Sequence, residues 1–497
     1  MVLSAGGDPR RHRPRGPCAG GGPPMSGATG LTTLTLHLTK ARFTSRQGET
    51  LLYFASILAF AICGTLSLTV AAGTWMFNTR RTSPTGKLAE ILAQDPQFDL
   101  VLTFYFALAL IACAMLIPTT VALARSAAIL GARGRERRLA TLRLIGLSSS
   151  EVTRMSLVDT VLQALIGLGL GVVGYLATFS LWQNLSFQGT PLTPSEMLLP
   201  WWLGAAVVVG VLLIGVASSW WGLRQVRISP LGISRRANKP AVKWWVLIIF
   251  FVLAISASLL LNGTTLSSGL VTWVIVGGAM LLMALAVNIL GPYLLQSLAR
   301  VTAALPSPTI MWASRRIVAD PRATWARVSS IGLLAFVGGF LALMPISMEG
   351  NGDPLIDEFA SASQWDLTKG AIVTLAIGLV LSAISILISQ ASAVFERAEQ
   401  TVAMQRMGAP LSYQTRVMWT EVLAPLLLSM VLGFAGGVAM ASPMLTLAKK
   451  LGVETQLAAA YVVAGVLAAG LVLGVAALMA CGPLQRQVLA AQRRAND

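Results

Sequence analysis

Residues 132–152 read ARGRERRLATLRLIGLSSSEV. Five arginines stand in this stretch, and a long apolar run lies on each side of it. That contrast decides the fold class. Of the 497 residues, 55% are hydrophobic and 11% charged, against about a quarter charged in ordinary soluble domains. Apolar runs of membrane length, separated by short basic segments, describe an all-α polytopic membrane protein. The formal net charge of +17 sits in those short segments, so it reads as orientation in a membrane rather than nucleic-acid binding.

A helix needs about 20 apolar residues to cross a bilayer. On that basis the chain holds ten candidate spans, at about 51–77, 100–128, 155–182, 197–222, 244–262, 268–296, 327–347, 370–394, 414–445 and 457–481. Tryptophans gather near the span ends, as in the pairs Trp201 and Trp202, Trp220 and Trp221, and Trp244 and Trp245. Such residues favour the membrane interface. With the N-terminus in the cytoplasm, only Arg80, Arg81, Lys87, Lys369, Lys449 and Lys450 of the 37 Lys and Arg fall outside. Both termini are therefore expected inside. The longest outside loops, at roughly 78–99 and 348–369, are too short for a folded domain. Residues 1–30, rich in Gly, Pro and Arg, read as a disordered tail with no signal peptide, and Met25 is a candidate start. Four cysteines without CxxC spacing and two histidines give no basis for a metal centre.

The opening stretch has a partner. Residues 138–146 read RLATLRLIG and residues 400–408 read QTVAMQRMG, an offset of 262. At the same offset Arg154 meets Arg416, Asp159 meets Glu421, Gly171 meets Gly433 and Gly174 meets Gly436. Six spans separate the copies, so both keep the same orientation and the repeat is parallel. The expected organisation is a first repeat over 31–230 (spans 1–4), a central helix pair over 231–300 and a second repeat over 301–485 (spans 7–10). A cytoplasmic tail follows at 486–497.

A basic helix ending in LRLIG, followed by a long apolar helix with an early acid and later glycines, resembles the FtsX-like permease domain of MacB-type (type VII) ABC transporter permeases. The resemblance covers roughly 100–225 and 370–485. In that family the helix between the second and third spans of the domain is cytoplasmic and docks on an ATPase subunit. The matching residues are Glu136, Arg138, Leu142, Arg143, Leu144 and Gly146 in the first copy, and Glu399, Met404, Arg406, Met407 and Gly408 in the second. Arg143 and Arg406 lead as transmission residues. Taken alone, the same stretch could be a basic helix lying on the membrane surface.

Two further sets stand out. Asp159 and Glu421 are carboxylates within spans, expected in the first turns of their helices where the dipole favours an anion. Arg154 and Arg416, five residues earlier, are available as less direct partners. Gly167 with Gly171, and Gly433 with Gly437, form GxxxG pairs, with Gly174 and Gly436 close by. They read either as routine helix packing or as a contact between the two halves.

No Walker A pattern occurs, nor HExxH, nor a nucleophile elbow. The chain is thus not expected to be an enzyme or to carry a cofactor, with ATP and Mg bound by a partner. The resemblance implies an export permease for a hydrophobic or amphipathic substrate (lipid, peptide, drug or haem). It also implies an ABC ATPase partner, and two docking helices suggest two copies of it per permease chain. Membrane lipid is the other expected partner; nucleic acid is not. The alternatives are an ion-coupled secondary transporter using Asp159 and Glu421, and a non-transporting permease that passes ATPase motion on as a signal.

Overall fold

The computed structural model describes residues 49–96, 98–133, 149–226, 242–262, 270–343, 354–363, 365–450 and 457–496. The N-terminal tail and the first basic segment, Glu136 to Gly146, lie outside the described residues.

The described residues are helical almost throughout. In hydrocarbon a backbone must satisfy its own hydrogen bonds, and a helix does so within one segment. The first half holds α1 (Glu49–Thr82), α2 (Lys87–Gln94), α3 (Phe98–Arg133), α4 (Ser149–Ala177), the short α5 (Phe179–Trp182) and α6 (Trp201–Val226). A two-residue hairpin, β1 (Ser186–Phe187) and β2 (Thr190–Pro191), lies between α5 and α6. The central pair is α7 (Trp245–Asn262) and α8 (Leu270–Thr302). The second half holds α9 (Pro308–Ala319), α10 (Pro321–Ala342), α11 (Pro354–Ser363), α12 (Asp366–Glu396), α13 (Ala398–Arg406), α14 (Leu411–Lys450) and α15 (Leu457–Asn496).

Among the described residues, nine helices are long and apolar enough to cross a membrane, so the protein is a multi-pass membrane protein. The ten-span expectation differs at α7. Its 18 residues reach about 27 Å at 1.5 Å per residue, just short of a hydrocarbon core of about 30 Å. The residues expected as a tail at 486–497 continue α15 to Asn496 through Leu, Gln, Ala and Arg, all good helix formers. The two longest loops expected outside carry short helices, α2 and α11.

The two halves pack alike. In the first, α1 lies against α3, α4 and α6; in the second, α10 lies against α12, α14 and α15. The halves meet through their second spans, α3 and α12, where Ser126 Oγ lies 3.2 Å from Ser385 Oγ. Of the central pair, α8 leans on α10 and α14 and also reaches α3.

The glycines set the closest approaches. A Cβ at Gly167 would sit 2.6 Å from the Ile57 carbonyl oxygen, and one at Gly171 would sit 2.8 Å from that of Ala61. In the second half, Gly433 faces the Gly332 carbonyl and Gly437 the Phe336 carbonyl. Gly174 lies against Thr65, and Gly436 against Val287 of α8 and Phe336. The GxxxG pairs therefore seat the third span of each half on the first span of the same half, not on the other half. Small residues allow this because the backbones themselves come into contact. The contacts keep the repeat offset of 262: Gly171 on the Ala61 carbonyl corresponds to Gly433 on that of Gly332, and Gly174 against Thr65 to Gly436 against Phe336.

Candidate functional site

The second docking-helix candidate is α13, a nine-residue helix between α12 and α14. Ala398 and Val402 face inward, while Gln400, Ala403, Arg406 and Met407 are exposed. Met404 is half-buried, and the side chain of Glu399 lies outside the described residues. The helix stops at Gly408, whose φ of +91 is left-handed backbone that a residue with a Cβ adopts at a cost. The Gly408 amide donates to the Gln405 carbonyl and the Ala409 amide to the Met404 carbonyl. This pair of bonds is a Schellman stop, and it leaves Arg406 and Met407 projecting at the end of the helix.

Glu421 ties the root of α13 to the membrane helices. It is 4% exposed, and its two oxygens accept from Arg397 Nη1 and Nη2, both at 2.8 Å. Arg316 Nη1 approaches at 3.3 Å and Arg327 Nη1 at 3.5 Å. Arg397 caps the start of α13, Arg316 is on α9 and Arg327 on α10. One carboxylate on α14 thus joins three other elements. Burial, and then Arg397 beside it, draws Arg316 below the usual guanidinium value, while Glu421 opposes the shift.

The sequence expectation for the two acids changes in two respects. Asp159 and Glu421 each stand ten residues after the first residue of their helix, in the third turn. The macrodipole fades within the first turn, so it does not hold these charges. Arg154 and Arg416 are exposed, and Glu421 takes Arg316, Arg327 and Arg397 instead. Asp159 is buried on α4 next to Thr160, whose hydroxyl lies 3.1 Å from that of Ser219 on α6. Arg397 was overlooked in sequence although a signal existed: at the offset of 262 it stands opposite Arg135, as Glu421 stands opposite Asp159.

At the opposite end of the spans, the few cations there gather with acids. Arg80, 4% exposed at the end of α1, bonds Glu196 through Nε at 3.0 Å and Nη2 at 2.9 Å, and donates to the Phe187 carbonyl at 2.8 Å. Burial works against the Glu196 charge, but these bonds from Arg80 hold its carboxyl below the usual carboxylate range. The hairpin turn at Gln188 and Gly189 has positive φ at both residues, as a tight two-residue turn requires. There the Gln188 amide donates to Asp366 Oδ2 at 2.6 Å. Tyr105 of α3 donates to the same oxygen at 3.2 Å, and Lys369 pairs with Oδ1 at 3.1 Å. Lys87 pairs with Glu358 at 2.6 Å, and the Phe98 ring meets that of Phe359 edge-on at 4.8 Å. Each of these last links, from Asp366 onward to Phe359, joins or borders the seam between the two halves.

Beneath this clasp lies a cavity of about 200 Å³, lined by both halves and by α8. Its walls are mostly apolar, with Met76, Phe104, Met115, Trp273, Phe340 and Ile377 among them. Phe187 and Asp366 place the clasp at its roof. Nothing in the sequence pattern announced this cavity, because it is formed by residues from five membrane-length helices, two short helices and a hairpin that only the packing brings together.

Neither the curated proteins nor the solved structures include a match to the chain. The FtsX-like permease C-terminal family matches it at residues 110–231 and again at 372–487. The two matches begin 262 residues apart, the offset of the sequence repeat. Each takes in the second, third and fourth spans of its half together with the segment before the third span. The chain carries two FtsX-like permease domains, one in each half of a single multi-pass membrane protein.

Proposed function

We propose that the chain is the membrane subunit of an ABC transporter that exports a hydrophobic or amphipathic substrate, such as a lipid, peptide, drug or haem. ATP and Mg are bound and hydrolysed by a separate ATPase, in two copies per permease chain. One copy docks on α13, through Arg406 and Met407. The other docks on the segment containing Glu136, Arg138, Leu142, Arg143, Leu144 and Gly146. The basic side, including both termini, faces the cytoplasm of a bacterial plasma membrane.

The observation that carries this reading is the apolar cavity between the halves, roofed by a polar clasp and seated across a seam that two docked ATPases could open and close. An apolar cavity in the membrane suits a substrate that arrives sideways from the bilayer. The ion-coupled alternative is weakened by Glu421, which is held by three arginines and is thereby a poor proton carrier.

Co-purification tests the reading. The tagged chain, extracted in mild detergent, should bring down a Walker-motif ATPase at two copies per permease. Arg143→Glu and Arg406→Glu together should release it, and transport in vesicles should stop with orthovanadate. A chain that purifies alone and still transports would end the ABC reading and direct attention to Asp159.

A further inference from the structure

A second, smaller cavity of about 60 Å³ lies on the basic side, where α9, α12, α13 and α14 converge. Trp312 and Arg316 face it from α9, one turn apart, Gln390 from α12 and Arg397 from the start of α13. Met404 and Met418 add apolar wall. Among the described residues its lining holds two arginines and no acid. Gln390 is 4% exposed, and its amide nitrogen has no hydrogen-bond partner among the described residues. A buried donor left unmet is costly, so such a group normally faces a partner. Arg316 is 31% exposed; it spends one nitrogen on Glu421, and its guanidinium carbon lies 5.7 Å from the centroid of the Trp312 ring.

A guanidinium and a buried amide donor facing one small space form a site for an oxyanion, and Arg suits phosphate above all. At about 60 Å³ the cavity is on the scale of a single phosphate group rather than a nucleotide. Methionines beside it offer a surface for hydrocarbon, and Trp312 and Tyr413 are residues of the headgroup level. We propose that this cavity binds the phosphate of an anionic phospholipid headgroup, with Arg316 and the Gln390 amide as its donors. Occupancy brings the lipid against Met404 of α13, so the headgroup steadies the helix that the proposed ATPase touches. The site itself stands whatever the central cavity carries.

The test is native mass spectrometry of the full chain in detergent with added dioleoyl phosphatidylglycerol, and separately with dioleoyl phosphatidylcholine. The wild-type chain should retain one phosphatidylglycerol in preference to phosphatidylcholine. Gln390→Leu, which leaves the Glu421 cluster untouched, should weaken retention about tenfold or more. Gln390→Glu is a second variant that should abolish it by placing a carboxylate against the phosphate. The lipid-free thermal midpoint of each variant reads folding separately. If inorganic phosphate alone raises the wild-type midpoint, and does not raise that of Gln390→Leu, the phosphate chemistry holds and the anion is soluble rather than lipid-borne. Equal phosphatidylglycerol retention by the wild type and both folded variants, with no response to inorganic phosphate, overturns the proposal.

Discussion

Glu421 balances Arg316, Arg327 and Arg397 across four elements, so its charge matters more than its volume. Glu421→Gln keeps the shape and removes the charge, leaving three guanidiniums facing one another. Taking one partner from a buried ion pair costs about 3–5 kcal/mol. The arginines here are a quarter to a third exposed, which puts the expected loss nearer about 3 kcal/mol. It should appear as a lower thermal midpoint in detergent, followed by tryptophan fluorescence. Arg397→Gln should cost less, because Glu421 keeps two arginines, and the double variant should lose less than the sum of the singles. A Glu421→Gln chain as stable as the wild type would remove the cluster from the account of stability. At this scale the sequence was only half legible. A carboxylate in a span advertises its own cost. Arg316, however, lies 105 residues from it and reaches it only through the packing of α9 against α14, which no local pattern records.

Helices, unlike their contacts, could be read directly from apolar runs, and most span positions follow from length alone. What length cannot give is register. The partner helix fixes it: Gly171 on the Ala61 carbonyl and Gly433 on that of Gly332 keep the sequence offset of 262, as do Gly174 on Thr65 and Gly436 on Phe336. At Gly437 the Phe336 carbonyl and, at 2.8 Å, the Phe340 amide nitrogen occupy the place of a Cβ. Gly437→Val must therefore push α14 off α10. Overpacking of this kind costs about 1–3 kcal/mol. Gly171→Val should act alike on α4 and α1, since the Ala61 carbonyl and Thr65 amide stand where its Cβ would go. Gly204→Ala on α6 is the control, as nothing lies within 4 Å of its new methyl. Thermal midpoints of the three variants check this: the first two should fall and the third should hold. A fall at Gly204 equal to that at Gly437 would mean that helix interiors in general, and not the seam, resist substitution.

The two ends of the molecule are built on opposite principles. On the basic side, charge is abundant and the elements that carry it are short, exposed helices such as α13. On the other side, charge is sparse, and Arg80, Lys87 and Lys369 each find an acid, so the clasp over the cavity is held by a handful of ion pairs. The Arg80 and Glu196 pair fixes the hairpin to α1, and the hairpin in turn gives its Gln188 amide to Asp366 of the other half. The roof should accordingly loosen with acid. Because Glu196 titrates below its ordinary range when folded, its contribution is fully present above the unfolded value of about 4.3 and is lost as pH falls through the folded value. With Glu196 24% exposed and partly open to screening, the pair is worth about 1 kcal/mol. Glu196→Gln should therefore lower the thermal midpoint at neutral pH, and the gap between it and the wild type should narrow on acidification and close below the folded value. Midpoints measured in steps from about pH 7 to about pH 3 decide this. A gap that persists unchanged to the acid end would show that the Glu196 charge does not hold the hairpin down, and would leave the Asp366 contacts as what closes the cavity.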